Sequence, residues 1–364
     1  MPNPKGNPVP GMPKIYLVVI GIALLLAVQY AMPQALSEKP PVRSIRHVAM
    51  FTDFEAILYG KDANTVPEAL LSAGRAAFEA VDALENRISN WRADSYTSLV
   101  NRKAAEGPVK VSTDLIEILE NARTVHKDTG GAFDVTVGPL IQFWKAQEKQ
   151  GTFPKQEEVK PVLEHIGLKY VIIDKQAETV FFERPGLCLD FGGIAKGLAL
   201  DRMAVVLAEN GVKTALLNAG TSSLVALGAP PGETGWTVSI DSPYNTDSTE
   251  PIATVQICDE SLSTSSNARR YLDIGGKHYS HILNPSTGMP AEGLASATAI
   301  APTGVESDAL STAFFVMGVE GVRAYCAAHP KVRAILFEDR PDKTEAIFIN
   351  FSDVQKRSND EQQP

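Results

Sequence analysis

Four short strings hold residues suited to chemistry at a phosphate or beside a planar ring. In DFGGIAKG, Asp190 to Gly197, a strand delivers a carboxylate, two glycines turn the backbone tightly, and a helix begins. Free N–H groups at a helix N-terminus attract anions, and glycine lets a ligand come close. Lys196 adds positive charge there. The string lacks the Gly-Lys-Ser/Thr ending of a phosphate loop and the glycine spacing of a dinucleotide fingerprint. Taken alone, the string reads more simply as an ordinary strand–turn–helix junction. Asn218-Ala219-Gly220, at the end of the next strand, offers a second backbone approach to the same ligand.

In ESDALST, Glu306 to Thr312, Asp308 and Thr312 are four residues apart, so a helix puts carboxylate and hydroxyl on one face. Hard oxygens of this kind suit magnesium, which takes few protein ligands and adds substrate phosphates. Thr312 bonding back within its own helix, and Asp308 as a surface acid of the first turn, are the alternatives. In HYSHILNPSTGMP, Pro285, Gly288 and Pro290 stiffen a loop with His281 at its entrance, where a neutral imidazole can take a proton or can bond the loop backbone as a structural histidine. Asn284 and Thr287 read as turn formers. In GGAFDVTVGPL, Ala132, Phe133 and Asp134 follow a helix-ending glycine pair, with Asp134 facing a ring system or capping Thr136 locally. Trp91 lies in a polar loop, as a stacking platform or as rim packing.

The elements that must position these residues follow from hydrophobic period. Alternation over Arg43–Tyr59 predicts strands. Leu70, Ala73, Ala77, Val81, Leu84 and Ile88 stripe a helix over Pro67–Ile88. A loop is expected over Ser89–Asn101, then a helix capped by Ser112 or Thr113 and ended by Gly130-Gly131. Gln147–Val159 reads as a polar surface excursion. Tyr170–Ile173 and Thr179–Phe182 form a hairpin. A strand over Cys188–Phe191 precedes a helix over Ile194–Asn210, and Thr214–Leu217, Trp236–Ile240 and Ala253–Cys258 follow as strands. Helices over Glu306–Met317 and Val319–His329 precede strands Val332–Glu338 and Glu345–Ile349. Without a regular βαβ alternation, the expected class is α+β.

The chain has 364 residues, a net charge of −9 and 44% hydrophobic types. That composition fits a folded domain, and an acidic chain without a basic run is no nucleic-acid binder. Cys188, Cys258 and Cys326 match no metal pattern, and three cannot all pair. Ile15 to Ser37 carries no charge, is strongly apolar over Ile15–Val28, and follows Lys5 and Lys14. Residues 1–41 are therefore expected to be a short tip, a signal peptide or membrane anchor, and a linker. Residues 42–350 form the working domain, outside the cytoplasm, and residues 351–364 a polar tail.

Together and in this order, the strings resemble the ApbE family over Met50 to about Ile349. These are magnesium-dependent enzymes that use FAD to attach FMN covalently to proteins. The resemblance implies one ApbE-like domain of mixed sheets and helices. It assigns FAD contacts to Met50, Trp91, Ala132, Phe133, Asp134, Asp190, Lys196, Asn218, His281 and Ile282, and metal ligands to the Gly193 carbonyl, Asp308 and Thr312. It implies attack by an acceptor Thr or Ser hydroxyl on the FMN-side phosphorus, with AMP leaving. His281 is the candidate base, Asp308 the second choice, and Lys196 shares the phosphate charge with backbone N–H groups near Gly192. The acceptor is expected in a Ser/Thr-Gly-Ala-Thr-like motif of an exported or membrane flavoprotein. Two positions depart from the family pattern: Phe51 replaces a usual glycine after the methionine, and Thr221 replaces a second glycine after Gly220. Hydrolysis of FAD to FMN and AMP, non-catalytic flavin binding, and a scaffold with relic loops are the competing functions.

Overall fold

The alternating segment from Val42 becomes a hairpin of β1 (Val42–Ala49) and β2 (Thr52–Tyr59), in register from Val42↔Tyr59 to Ala49↔Thr52. The computed structural model describes residues 39–244, 251–268, 270–340 and 345–352. The apolar stretch Ile15–Val28 and the tail beyond residue 352 lie outside the described residues. Among the described residues no helix is long and apolar enough to cross a membrane.

Seven helices follow in chain order among the described residues: α1 (Pro67–Ile88), α2 (Tyr96–Lys103), α3 (Thr113–Asp128), α4 (Gly138–Gln150), α5 (Gln156–Leu163), α6 (Ala195–Glu209) and α7 (Gly304–Ala328). The remaining strands are β3 (Val109–Lys110), β4 (Val171–Asp174), β5 (Thr179–Phe182), β6 (Thr214–Ala219), β7 (Ser223–Leu227), β8 (Trp236–Ile240), β9 (Ala253–Ile257), β10 (Glu260–Ser266), β11 (Tyr271–Ile274), β12 (Lys277–Ser280), β13 (Leu294–Ala301), β14 (Arg333–Glu338) and β15 (Ile347–Ile349). One eight-stranded sheet runs β1-β2-β6-β7-β10-β13-β14-β15, and every neighbouring pair in it is antiparallel. The fold is thus α+β, with no parallel βαβ sheet.

The main core lies between this sheet and α1, α6 and α7. The α1 stripe is buried as its period requires, from Leu70 to Ile88. Burying each large member contributes about 1.5–3 kcal/mol. The β8–β9 hairpin covers the far side of the sheet, setting Trp236, Val238 and Ile257 against Leu262, Ile300 and Phe337. All eight residues of β13 are consequently buried. Its run LASATAIA has too little polar alternation to read as a half-exposed strand.

Three local expectations are corrected. The loop over Ser89–Asn101 ends in α2, capped by Ser95, whose hydroxyl accepts from the Ser98 N–H at 3.0 Å. Eight residues are too few for a clear hydrophobic period. The excursion over Gln147–Val159 is largely helical. Trp144 of α4 and Val159 of α5 are buried against Leu272, Ile274 and Leu283, a partner surface far away in sequence. Cys188–Phe191 forms no regular strand and makes one isolated bridge, Cys188 to Val137 just before α4. The helix division at residue 318 agrees with expectation: Gly318 takes φ 68 and ψ 179, which interrupts α7.

The α6 and α7 backbones meet closely at a pair of glycines. A Cβ on Gly197 would stand 2.0 Å from the Gly304 carbonyl oxygen, and one on Gly304 would stand 2.5 Å from the Gly197 oxygen. Asp201, one turn along α6, accepts the Gly304 and Val305 N–H groups at 2.6 and 2.8 Å, capping α7 from a neighbouring helix. Burial pushes the Asp201 carboxyl up to about 6, against the pull of those two donors.

Gly197→Ala is expected to destabilise the protein by roughly 3 kcal/mol in urea unfolding, since backbone cannot yield as a side chain does. Gly107→Ala, with open space around its Cβ, serves as the control and should leave the midpoint nearly unchanged.

Candidate active site

All the candidate residues border one cavity of about 1000 Å³. That is the upper end of small-ligand sites and suits a dinucleotide better than a mononucleotide. Its polar centre is the meeting of α6 and α7. Asp308 stands in the second turn of α7 and is buried. Its Oδ2 accepts the Gly197 N–H at 3.0 Å, and its Oδ1 accepts the Ser223 hydroxyl at 3.0 Å and Lys196 Nζ at 3.3 Å. The first turn of α6 therefore points its positive end at this carboxylate. Lys196 is poorly placed at the start of a helix by dipole alone, and Asp308 compensates it.

Thr312 follows one turn later. A Cβ on Gly193 would lie 2.9 Å from Thr312 Oγ1, so glycine leaves the space between that turn and the hydroxyl open. Gly193 carbonyl, Asp308 carboxylate and Thr312 hydroxyl are all hard oxygen donors, which fits magnesium in type. Among the described residues no group of three or more His, Cys, Asp or Glu stands together as a metal site. A cation held by this set would complete its shell from water and phosphate oxygens.

The glycine turn itself is organised differently from expectation. The Gly192 N–H donates to Asp190 Oδ1 at 2.8 Å, and the Ile194 and Ala195 N–H groups donate to the Phe191 oxygen. These donors are engaged within the turn, so the anion attraction falls to Lys196 and the helix dipole. Asp190 Oδ2 accepts from Asn90 Nδ2 at 2.9 Å, which ties the turn to the end of α1.

Asp134 borders the cavity, but its carboxylate is engaged locally. Its Oδ1 accepts the Thr136 N–H and hydroxyl at 2.7 and 2.6 Å, and its Oδ2 accepts the Leu168 N–H at 3.2 Å. The local-cap alternative describes its carboxylate. Phe133 presents its ring edge near Gly193, 3.3 Å from the Cβ that position lacks.

His281 is held by a backbone bond. Its Nδ1 lies 2.8 Å from the Arg270 carbonyl oxygen. A carbonyl can only accept, so Nδ1 carries the proton and Nε2 keeps a lone pair. Burial, with help from the Arg270 and Lys196 charges, pushes the imidazole down to about 4, and the ring is neutral at pH 7. The loop behind it is rigid. Asn284 Oδ1 accepts from Ser286 and Thr287 N–H groups, and Trp144 Nε1 donates to the Gly288 oxygen at 2.8 Å. Gly288, at φ 71, is pressed so close to Val159 that a Cβ would stand 2.4 Å from its methyl.

Met50 and Phe51 form the β1–β2 turn, and the Met50 N–H donates to Glu85 Oε2 at 2.8 Å. Trp91 stands 61% exposed on the rim, with Lys145 Nζ 4.5 Å above its ring. Asn218 on β6 and Ile282, which is buried, also border the cavity. Thr221 does not strain its turn as its replacement of glycine suggests. The left-handed position is Gly220, at φ 65, and Thr221 stays outside that region.

Sequence reasoning missed a hydroxyl seam. Ser261, Ser263 and Ser265 alternate along β10 onto one face and meet α7. Ser307 lies 2.7 and 3.0 Å from the first two, and Ser311 lies 3.0 Å from Ser265. Ser265 also approaches Thr312 Oγ1 at 3.4 Å. The run ESLSTSS signals this by its period of two, but only the pairing with α7 shows why hydroxyls occupy a core face.

The ApbE family model matches residues 50–336. The FAD:protein FMN transferase of Klebsiella pneumoniae (strain 342) is 32% identical over 261 residues, 70% of this chain and 74% of the relative. That of Treponema pallidum (strain Nichols) is 30% identical over 288 residues, 75% of this chain and 79% of the relative. The crystal structure of the ApbE protein from Thermotoga maritima superposes with a TM-score of 0.75 at 26% identity, covering 87% of this chain and 100% of that one. The flavin transferase ApbE of Vibrio cholerae shares the fold, with a TM-score of 0.70 at 24% identity over 85% of this chain and 98% of that one.

A neutral buried histidine has its folded-state pKa below the unfolded value, so its stabilisation is complete above about 6.5 and is lost as pH falls toward about 4. Thermal melts of the protein and of His281→Gln should diverge from each other across that window, the unchanged chain losing more stability toward acid.

Proposed function

The chain belongs to the ApbE family, and from that membership we propose that it is an FAD:protein FMN transferase acting on a Thr or Ser hydroxyl. The observation that carries the proposal is the junction of α6 and α7, where Lys196, Asp308, Thr312 and the Gly193 turn converge beside a cavity of dinucleotide size. Similarity to relatives named for this activity supports it.

The Gly193 carbonyl, Asp308 and Thr312 would hold Mg2+. When bound, the ion neutralises charge on the pyrophosphate. Lys196 adds a second positive charge, and the N-terminus of α6 adds its dipole. The acceptor hydroxyl oxygen forms a bond to the FMN-side phosphorus as the bond from that phosphorus to the AMP oxygen breaks. AMP takes the bonding pair, and the hydroxyl proton passes to His281 Nε2. The hydrogen bond from Nδ1 to Arg270 holds that nitrogen as the acceptor. Met50, Trp91 and the Ala132–Phe133 backbone line the cavity where the ring system would lie, with Asn218 and Ile282 bordering it farther along the chain. Ser223 and Ser265 hold Asp308 and Thr312 in place from β7 and β10.

The proposal extends to location. The charge-free stretch Ile15–Ser37 behind Lys5 and Lys14 supports a tethered or exported protein whose domain, residues 42–350, works outside the cytoplasm. An exported or membrane flavoprotein with a Ser/Thr-Gly-Ala-Thr-like motif is then the partner.

Incubation with FAD, Mg2+ and a peptide bearing that motif should yield peptide heavier by one FMN and an equal amount of AMP, both read by mass spectrometry. AMP without labelled peptide would mean hydrolysis instead. Asp308→Asn, close to isosteric, should lower labelling on the order of 100-fold or more. Full labelling by that variant at unchanged Mg2+ dependence rejects the metal assignment.

A further inference from the structure

The turn at the cavity rim carries a residue that its backbone disfavours. Met50 and Phe51 have φ of 49 and 58 and close the two-residue turn between Ala49 and Thr52. Glycine takes such a conformation freely, whereas a Cβ crowds the neighbouring carbonyl. Here the second position holds a phenylalanine that is 81% exposed. Burial therefore does not offset the unfavourable backbone.

Phe51 has one evident neighbour. Its ring meets that of Trp91 edge to face, with centroids 6.2 Å apart and planes at 73°. Trp91 is itself 61% exposed, and Lys145 holds its ring from above. A single exposed aromatic needs no explanation. Two of them, in contact, on the rim of the ligand cavity, one on a strained turn, form a stacking surface whose natural cover is another flat ring.

We infer that Phe51 is a positioning residue for the isoalloxazine ring of FAD, forming with Trp91 an aromatic clamp. The inference rests on the FAD reading above. The oxidised isoalloxazine is a three-ring, electron-poor plane. It can stack on one of the two rings while the other meets its edge, since their planes stand at 73°. Adenine is smaller and covers less of the pair. The clamp sets the ring at the mouth, beside Ala132 and Phe133, while the pyrophosphate reaches inward to Lys196 and Asp308.

The test is Phe51→Gly, which removes an exposed side chain and relieves the turn, so its melting temperature should match or exceed that of the unchanged protein. Binding of FAD and FMN is read by quenching of flavin fluorescence, and binding of AMP by calorimetry. Phe51→Gly should bind FAD and FMN about tenfold more weakly, the size of one aromatic contact of roughly 1.4 kcal/mol, with less quenching at saturation. Phe51→Tyr should restore both, and AMP affinity should not change. Equal FAD and FMN affinities in Phe51→Gly overturn the clamp alone, as does a loss confined to AMP. A failure of the unchanged protein to bind FAD overturns the transferase reading and the clamp with it.

Discussion

Two helices approach each other here to backbone contact, and the chemistry depends on that approach. Gly197 and Gly304 face each other with no room for a methyl group on either. The absence of side chains brings the Gly197 N–H onto Asp308 Oδ2. It also brings the start of α7 within reach of Asp201 on α6. A wider crossing would leave Asp308 buried without its backbone donor, at a cost of about 1–3 kcal/mol for a polar group and more for a charge. It would also separate the glycine turn from Thr312.

The same junction sets the electrostatics. Asp308 is a buried carboxylate with a lysine, a hydroxyl and a backbone N–H around it, at the positive end of α6. One acid among several positive features leaves a site that attracts anions and still offers oxygen to a cation, which is the requirement for handling a pyrophosphate. The serines of β10 extend this order into the core. Each hydroxyl pair contributes about 0.5–1.5 kcal/mol net, but an unpaired member would cost more than its pairing gains. The seam therefore fixes the register of α7 on the sheet, and with it the direction of Asp308 and Thr312.

Much of the site was legible in local strings because its chemistry depends on short spacings. Asp308 and Thr312 are one helical turn apart in any helix, and the Gly192-Gly193 pair marks a turn before a helix in any fold. The large helices α1, α3, α6 and α7 were legible for a similar reason, through stripes or caps such as Ser112. What failed was local structure whose partner is distant. The carboxylate of Asp134 was open between two roles because Thr136 and Leu168 compete with any ligand for it, and Leu168 is 34 residues away. Val159 looked like part of a polar excursion until it packed with Trp144 against Leu272 and Ile274 of β11. The strand β13, buried on both faces, has no alternation to detect.

By itself, the sequence determined which residue types were available for a cation, an anion and a flat ring, and on which kind of element each would stand. Those properties follow from side-chain chemistry and from spacings within one turn or one strand. Only the tertiary structure decided which atoms remain free to act. It engaged the Gly192 N–H with Asp190 and the Asp134 carboxylate with Thr136, put the proton of His281 on Nδ1, and left Phe51 and Trp91 uncovered at the rim. Each outcome depends on a donor, an acceptor or a covering surface supplied by a distant or differently folded segment, and a polar or aromatic group is available to a ligand only when no such segment has claimed it.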